Sequence, residues 1–213
     1  MALMNNVYRY ITSNYQPNEP IFLSELKIPD MKAVSVRQQM KKLMESGQIK
    51  RFDIGIYYIP KESMFRSGST LSVDEVIRKK YLADGENCCG YVGGILFANQ
   101  LGLTTQVPGA YEIYTNKATT EYRETHIAKL RVILRKPYCE INERNVATLQ
   151  FLDLLKEIVD ISEIDGEELT NRLISYMKKK SIGFESMRTF LPYYPERIYK
   201  NMYEVGLLNG VFA

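Results

Sequence analysis

Apolar residues recur at helical spacing twice within the first sixty positions. In residues 3–15, Leu3, Val7, Tyr8, Ile11 and Tyr15 share one face of a predicted helix. Gln16-Pro17-Asn18-Glu19-Pro20 ends it. Ile21-Phe22-Leu23 reads as a short strand, and Ser24-Glu25-Leu26 opens a short second helix limited by Pro29. Further on, Val36, Met40, Leu43 and Met44 fall at i, i+4, i+7 and i+8, one stripe of a third helix. Ser35 is the expected N-cap. Gln38, three residues later, completes a capping-box pattern. Gly47 stands where a helix end needs positive φ. The pattern then changes to strand, turn, strand: Gln48–Phe52, Asp53-Ile54-Gly55 and Ile56–Ile59, stopped by Pro60. Helix, short strand, two helices and a hairpin is the order of a winged helix-turn-helix.

The composition of Lys61–Ser72 is that of a linker. Leu71–Leu82 is predicted helical, with Ser72 as cap and Val73, Val76, Ile77 and Tyr81 on one side. Ala83–Asn87 reads as a loop and Gly90–Leu101 as a helix with small residues near its start. Strands follow at Tyr111–Thr115 and Tyr122–Ile127. Within Lys129–Arg135, Leu130, Val132 and Leu134 alternate with Lys129, Arg131, Ile133 and Arg135. Asn142 is placed to cap a long helix carrying Val146, Leu149, Leu152, Leu155 and Val159. Three more helices are expected at Gly166–Lys180, Phe184–Leu191 and Pro195–Val205. The fold class is therefore α+β. A winged helix-turn-helix domain over residues 1–65 precedes a mixed α/β body over 71–213 with a helical C-terminal part.

Charge sharpens the division. Residues 1–65 hold nine Lys and Arg against six Asp and Glu, whereas the remainder holds nineteen of each. From Lys32 to Arg51 the balance is six basic residues to one acidic. Solvated faces usually mix signs. Cations concentrated on one helix and its adjoining hairpin are the footprint expected for a phosphate backbone. In a recognition helix the N-terminal residues reach base edges, which here are Ser35, Arg37, Gln38 and Gln39. Lys41 and Lys42, a turn further in, suit phosphates, and Lys50 and Arg51 on the hairpin suit the backbone or the minor groove. For Gln38 the competing reading is a capping role alone.

The remaining chemistry is sparse. The three cysteines, Cys88, Cys89 and Cys139, form no CxxC pair and read as reduced thiols in a cytoplasmic protein. The N-terminus has no signal-peptide layout, and no apolar run reaches membrane-spanning length. The sixteen tyrosines are expected to be mostly half-buried with wet hydroxyls. The single histidine, His126, has no Cys or His cluster around it with zinc spacing. Gly90, Gly93 and Gly94 match neither dinucleotide nor P-loop patterns, and no strand is predicted before them. Carboxylates after residue 66 are scattered, with no Asp-x-Asp pair. No catalytic residue, cofactor site or metal site is assigned.

Two blocks resemble the AbiEi-type antitoxins of bacterial abortive-infection toxin–antitoxin systems. The first is Gly47, Ile49, Lys50, Arg51 and then Gly55-Ile56-Tyr57-Tyr58-Ile59-Pro60. The second is a helix followed by Leu101-Gly102-Leu103-Thr104-Thr105-Gln106-Val107-Pro108 and the strand Glu112-Ile113-Tyr114-Thr115-Asn116. The GLTTQVP block is the more telling of the two. Gly93-Gly94 departs from the Ser-Ala that similar proteins often carry, and the helices after about residue 160 match nothing in the family. The resemblance implies autorepression through double-stranded DNA at an inverted-repeat operator upstream of the protein's own operon. It also implies antitoxin activity from the second domain against a nucleotidyltransferase-type toxin, without a stable complex. Two alternatives stand beside it: a ligand-responsive winged-helix transcription factor, and an enzyme related to nucleotidyltransferases whose basic helix is merely solvated.

Overall fold

A computed structural model describes residues 6–61 and 69–208. The chain divides into two compact units, Met1–Lys79 and Lys80–Ala213. Leu3 of the first predicted helix and most of the expected linker lie outside the described residues.

In the first unit, helix α1 (Asn6–Asn14) precedes strand β1 (Ile21–Phe22), helix α2 (Ala33–Glu45) and the hairpin β2 (Lys50–Asp53) and β3 (Ile56–Tyr58). The strands form an antiparallel sheet ordered β1-β3-β2. Val7, Ile11, Ile21, Leu26, Val36, Met40, Leu43 and Ile49 make its core. The α2 stripe is buried as its spacing requires, except that Met44, at 36% exposure, lies at the margin. The expected second helix is absent. Its residues form isolated turns, with Glu25 N–H bonded to the Phe22 carbonyl and Met31 N–H to that of Ile28. So few residues ahead of Pro29 cannot offset the cost of helix nucleation, and the residue before a proline is biased away from α.

The capping box is also absent. Asp30 takes a left-handed conformation, φ 58°, and the helix begins just after it. Its N-cap is Lys32, without a side-chain cap, so Ser35 sits inside the first turn. At the other end Gly47 (φ 76°) behaves as expected. Its N–H bonds to the Met44 carbonyl and the Gln48 N–H to that of Leu43, the paired bonds of a Schellman motif. A short helix, α3 (Val73–Ile77), has Ser72 as its cap, accepting from Asp74 N–H at 3.1 Å. Lys79 then pairs with Glu19 at 2.6 Å and lies over the Tyr15 ring, which ties this segment to the first unit.

In the second unit a hairpin, β4 (Ala83–Asp84) and β5 (Asn87–Cys88), leads into β6 (Gly90–Val92) and helix α4 (Gly94–Gln100). Strands β7 (Tyr111–Thr115), β8 (Tyr122–Ile127) and β9 (Leu130–Arg135) follow. The main sheet is ordered β6-β7-β9-β8, with β7 and β9 parallel and the other pairs antiparallel. Helices α5 (Val146–Ile161), α6 (Gly166–Lys180), α7 (Phe184–Arg188) and α8 (Arg197–Glu204) complete the unit. The expectation of a continuous helix over Gly90–Leu101 is wrong in its first three residues. Pairing with β7 makes them a strand, and Gly90 is needed there because a Cβ would fall 2.4 Å from the Tyr81 carbonyl oxygen. Helix α5 is buried on nearly every side, although Val159 of its predicted stripe is 49% exposed. Asn142 caps the turn ahead of it, accepting from Arg144 N–H at 3.0 Å. The helix predicted at Phe184–Leu191 stops at Arg188, and a 3₁₀ turn takes over at Leu191–Tyr193.

Candidate functional site

Two places concentrate charge, and they differ in kind. The first is α2 with its hairpin. Val36, Met40 and Leu43 face the core, so Val34, Gln38, Lys41 and Glu45, at i, i+4, i+7 and i+11, lie on the opposite side. Arg37 and Lys42 flank that row, and all six are exposed. Lys41 approaches Glu45 at 3.9 Å, a loose surface pair that contributes little. The side chains of Arg37, Gln38 and Lys42 have no hydrogen-bond or ion-pair partner among the described residues. Because the helix starts at Ala33, Gln38 has no capping role.

Gln39 is different. It is half-buried, and its Oε1 accepts from the Val7 N–H at 3.4 Å, holding α2 to the start of α1. Ser35 is exposed beside it. On the hairpin, Arg51 is exposed and its Nε donates to the Asp53 carbonyl at 3.2 Å, while Lys50 is half-buried. A bulge between Arg51 and Asp53 twists the hairpin, and Ile54 stands at its tip, 82% exposed.

The second place was not visible in the sequence. On α5, Asp153 and Lys156 lie three residues apart on one face, bonded at 3.1 Å and both buried. The Tyr91 hydroxyl of β6 donates to Asp153 Oδ2, and that of Tyr194 reaches the same oxygen at 3.5 Å. Lys156 Nζ donates to the Tyr114 hydroxyl at 3.1 Å and pairs with Glu157 at 3.6 Å. Tyr114 in turn reaches Glu112, which holds Arg135 at 2.7 Å. Burial pushes the Asp153 carboxyl up to about 6, against the opposing pull of Lys156 and the Tyr91 hydroxyl. Burial, with the Asp153 charge beside them, also drives the Tyr91, Tyr114 and Tyr194 hydroxyls well above their ordinary range. These tyrosines are not the half-buried, wet-hydroxyl residues expected. A carboxylate and an ammonium enclosed this way satisfy one another.

Other expected features also find places. A strand does precede Gly93 and Gly94, contrary to the sequence reading. Gly94 has φ 58°, and a Cβ there would fall 2.6 Å from Glu112 Oε2, so the glycine leaves room for that carboxylate. In the GLTTQVP block, Gly102 (φ 70°) closes α4, and Leu103 is wholly buried. Glu163 accepts from the Thr105 N–H at 2.6 Å and its hydroxyl at 2.8 Å, which holds its carboxyl below the usual range. Much of that block is thus a helix end and its anchor. Cys88, Cys89 and Cys139 are free, and His126 is exposed on β8. Among the described residues no three His, Cys, Asp or Glu gather as a metal site, and no helix is long and apolar enough to cross a membrane.

Comparison with family models, with curated proteins and with solved structures finds no match.

Proposed function

We propose that the first unit is a winged helix-turn-helix whose middle helix is reduced to turns, and that it binds double-stranded DNA through α2 and the β2–β3 hairpin. The observation that carries this is the exposed face of α2. The Arg37 and Lys42 side chains have no partner among the described residues, and Glu45 is the single carboxylate between Lys32 and Arg51. Cations without internal partners gain most from phosphates and the counterions those release. Arg37 and Gln38, near the helix start, suit base edges; Lys41, Lys42, Lys50 and Arg51 suit the backbone. Ser35 is a lesser candidate, and Gln39 is a positioning residue for α2.

The resemblance of the wing and GLTTQVP blocks to AbiEi-type antitoxins extends the proposal: the chain represses its own operon and counters a nucleotidyltransferase-type toxin. Gel shifts of the full chain with DNA from upstream of its own gene test the first part. Binding that weakens steeply with salt is expected, and no binding at low salt would remove it. Growth rescue on co-expression with a neighbouring nucleotidyltransferase-type toxin tests the second, and its absence counts against the antitoxin role.

A further inference from the structure

We infer that Val34 is a specificity-determining residue that reads a thymine by packing on its 5-methyl group in the major groove. The inference rests on the DNA-binding reading of α2 and adds a contact to it. Val34 is the second residue of α2, and it is 61% exposed. It lies opposite the buried stripe, one turn before Arg37 and Gln38. The fold gives no reason for it. Its side chain is not in the core, and a β-branched residue in the first turn is a poorer helix former than alanine.

Ile54 is more exposed still, but it occupies the tip of a two-residue turn, where any side chain points outward. Val34 sits on a regular helix, and its position follows from the register that Val36, Met40 and Leu43 impose. In the major groove only thymine offers a methyl group, and small apolar side chains are what recognise it. Arginine and glutamine on either side of a valine would then read neighbouring bases through hydrogen bonds while the valine reads by shape. RNA has no such methyl on uracil, and its deep, narrow major groove excludes side chains. The inference therefore commits to DNA.

The test uses full-length protein and a duplex it selects from a randomised library. Each thymine of that duplex is replaced in turn by deoxyuridine, which deletes the methyl and keeps the base pair. One position is expected to lose about fourfold in affinity, the value of one methyl-sized group removed from water. In Val34→Ala, which withdraws two methyl groups from the contact, the loss at that position should shrink, while other positions behave as in the parent and the melting temperature holds or rises. A parent that selects a sequence but shows no deoxyuridine-sensitive position overturns the inference, as does an unchanged loss in Val34→Ala. Binding without sequence preference also overturns it and leaves DNA binding standing. Failure to bind any duplex removes both.

Discussion

The outer face of α2 and the cluster around Asp153 use the same residue types to opposite ends. On α2 the charges are exposed and mostly of one sign, and the Arg37 and Lys42 side chains have no partner among the described residues. On α5 Asp153 and Lys156 are buried, of opposite sign, and bonded to one another and to tyrosine hydroxyls. Exposed like charges cost little in water, because solvent screens them. Buried charges are tolerated only when geometry compensates them, so they report on the fold. DNA binding is accordingly proposed where ionisable side chains are left unsatisfied.

The strongest way to break that contrast is Lys156→Met. It leaves Asp153 as an uncompensated buried charge, and a loss of about 3–5 kcal/mol is expected at pH 7 by denaturant titration. The pH dependence has a definite sign. Lys156 pulls the Asp153 carboxyl down, so its removal raises a folded-state pKa already at about 6. An unfolded aspartate titrates near 3.9, so the folded variant holds a proton that the unfolded chain releases. That stabilisation is complete below about pH 4 and is lost as pH rises through the folded pKa. The variant should therefore regain stability between pH 7 and pH 5, and a deficit that does not change with pH would mean the cluster is not the coupled pair described.

Substitutions on α2 should act on binding and spare the fold. Arg37→Ala is expected to cost about 1–3 kcal/mol of discrimination at one base position, read from a randomised duplex library, with melting unchanged. Gln39→Ala should do the reverse. It removes the bond to the Val7 N–H, lowers stability by about 1 kcal/mol and leaves base preference intact. If Gln39→Ala altered preference and left melting alone, the division between reader and positioning residue would fail. The smallest effects belong to Lys42→Ala and Arg51→Ala. Each should weaken binding to all sequences alike and reduce the slope of log affinity against log salt by about 0.9, measured by titration at several salt concentrations.

The sequence by itself determined the local features whose cause is local. The α2 stripe, its glycine end at Gly47, the hairpin and the Ser72 cap were all legible, because periodicity and turn chemistry act over a few residues. The basic excess of α2 was legible for the same reason, since charge needs no fold to be counted. Tertiary structure decided what depends on distant partners. Gly90-Tyr91-Val92 became a strand because β7 was there to pair with it. Ser35 lost its capping role when the helix began after the left-handed Asp30. Gln39, polar and on a basic helix, was read as a base contact until its bond to α1 gave it internal work. The Asp153 cluster joins residues from β6, β7, α5 and the segment before α8, from Tyr91 to Tyr194. No window of sequence contains it, because burial is a property of the packed chain and only burial turns those tyrosines, an aspartate and a lysine into one network.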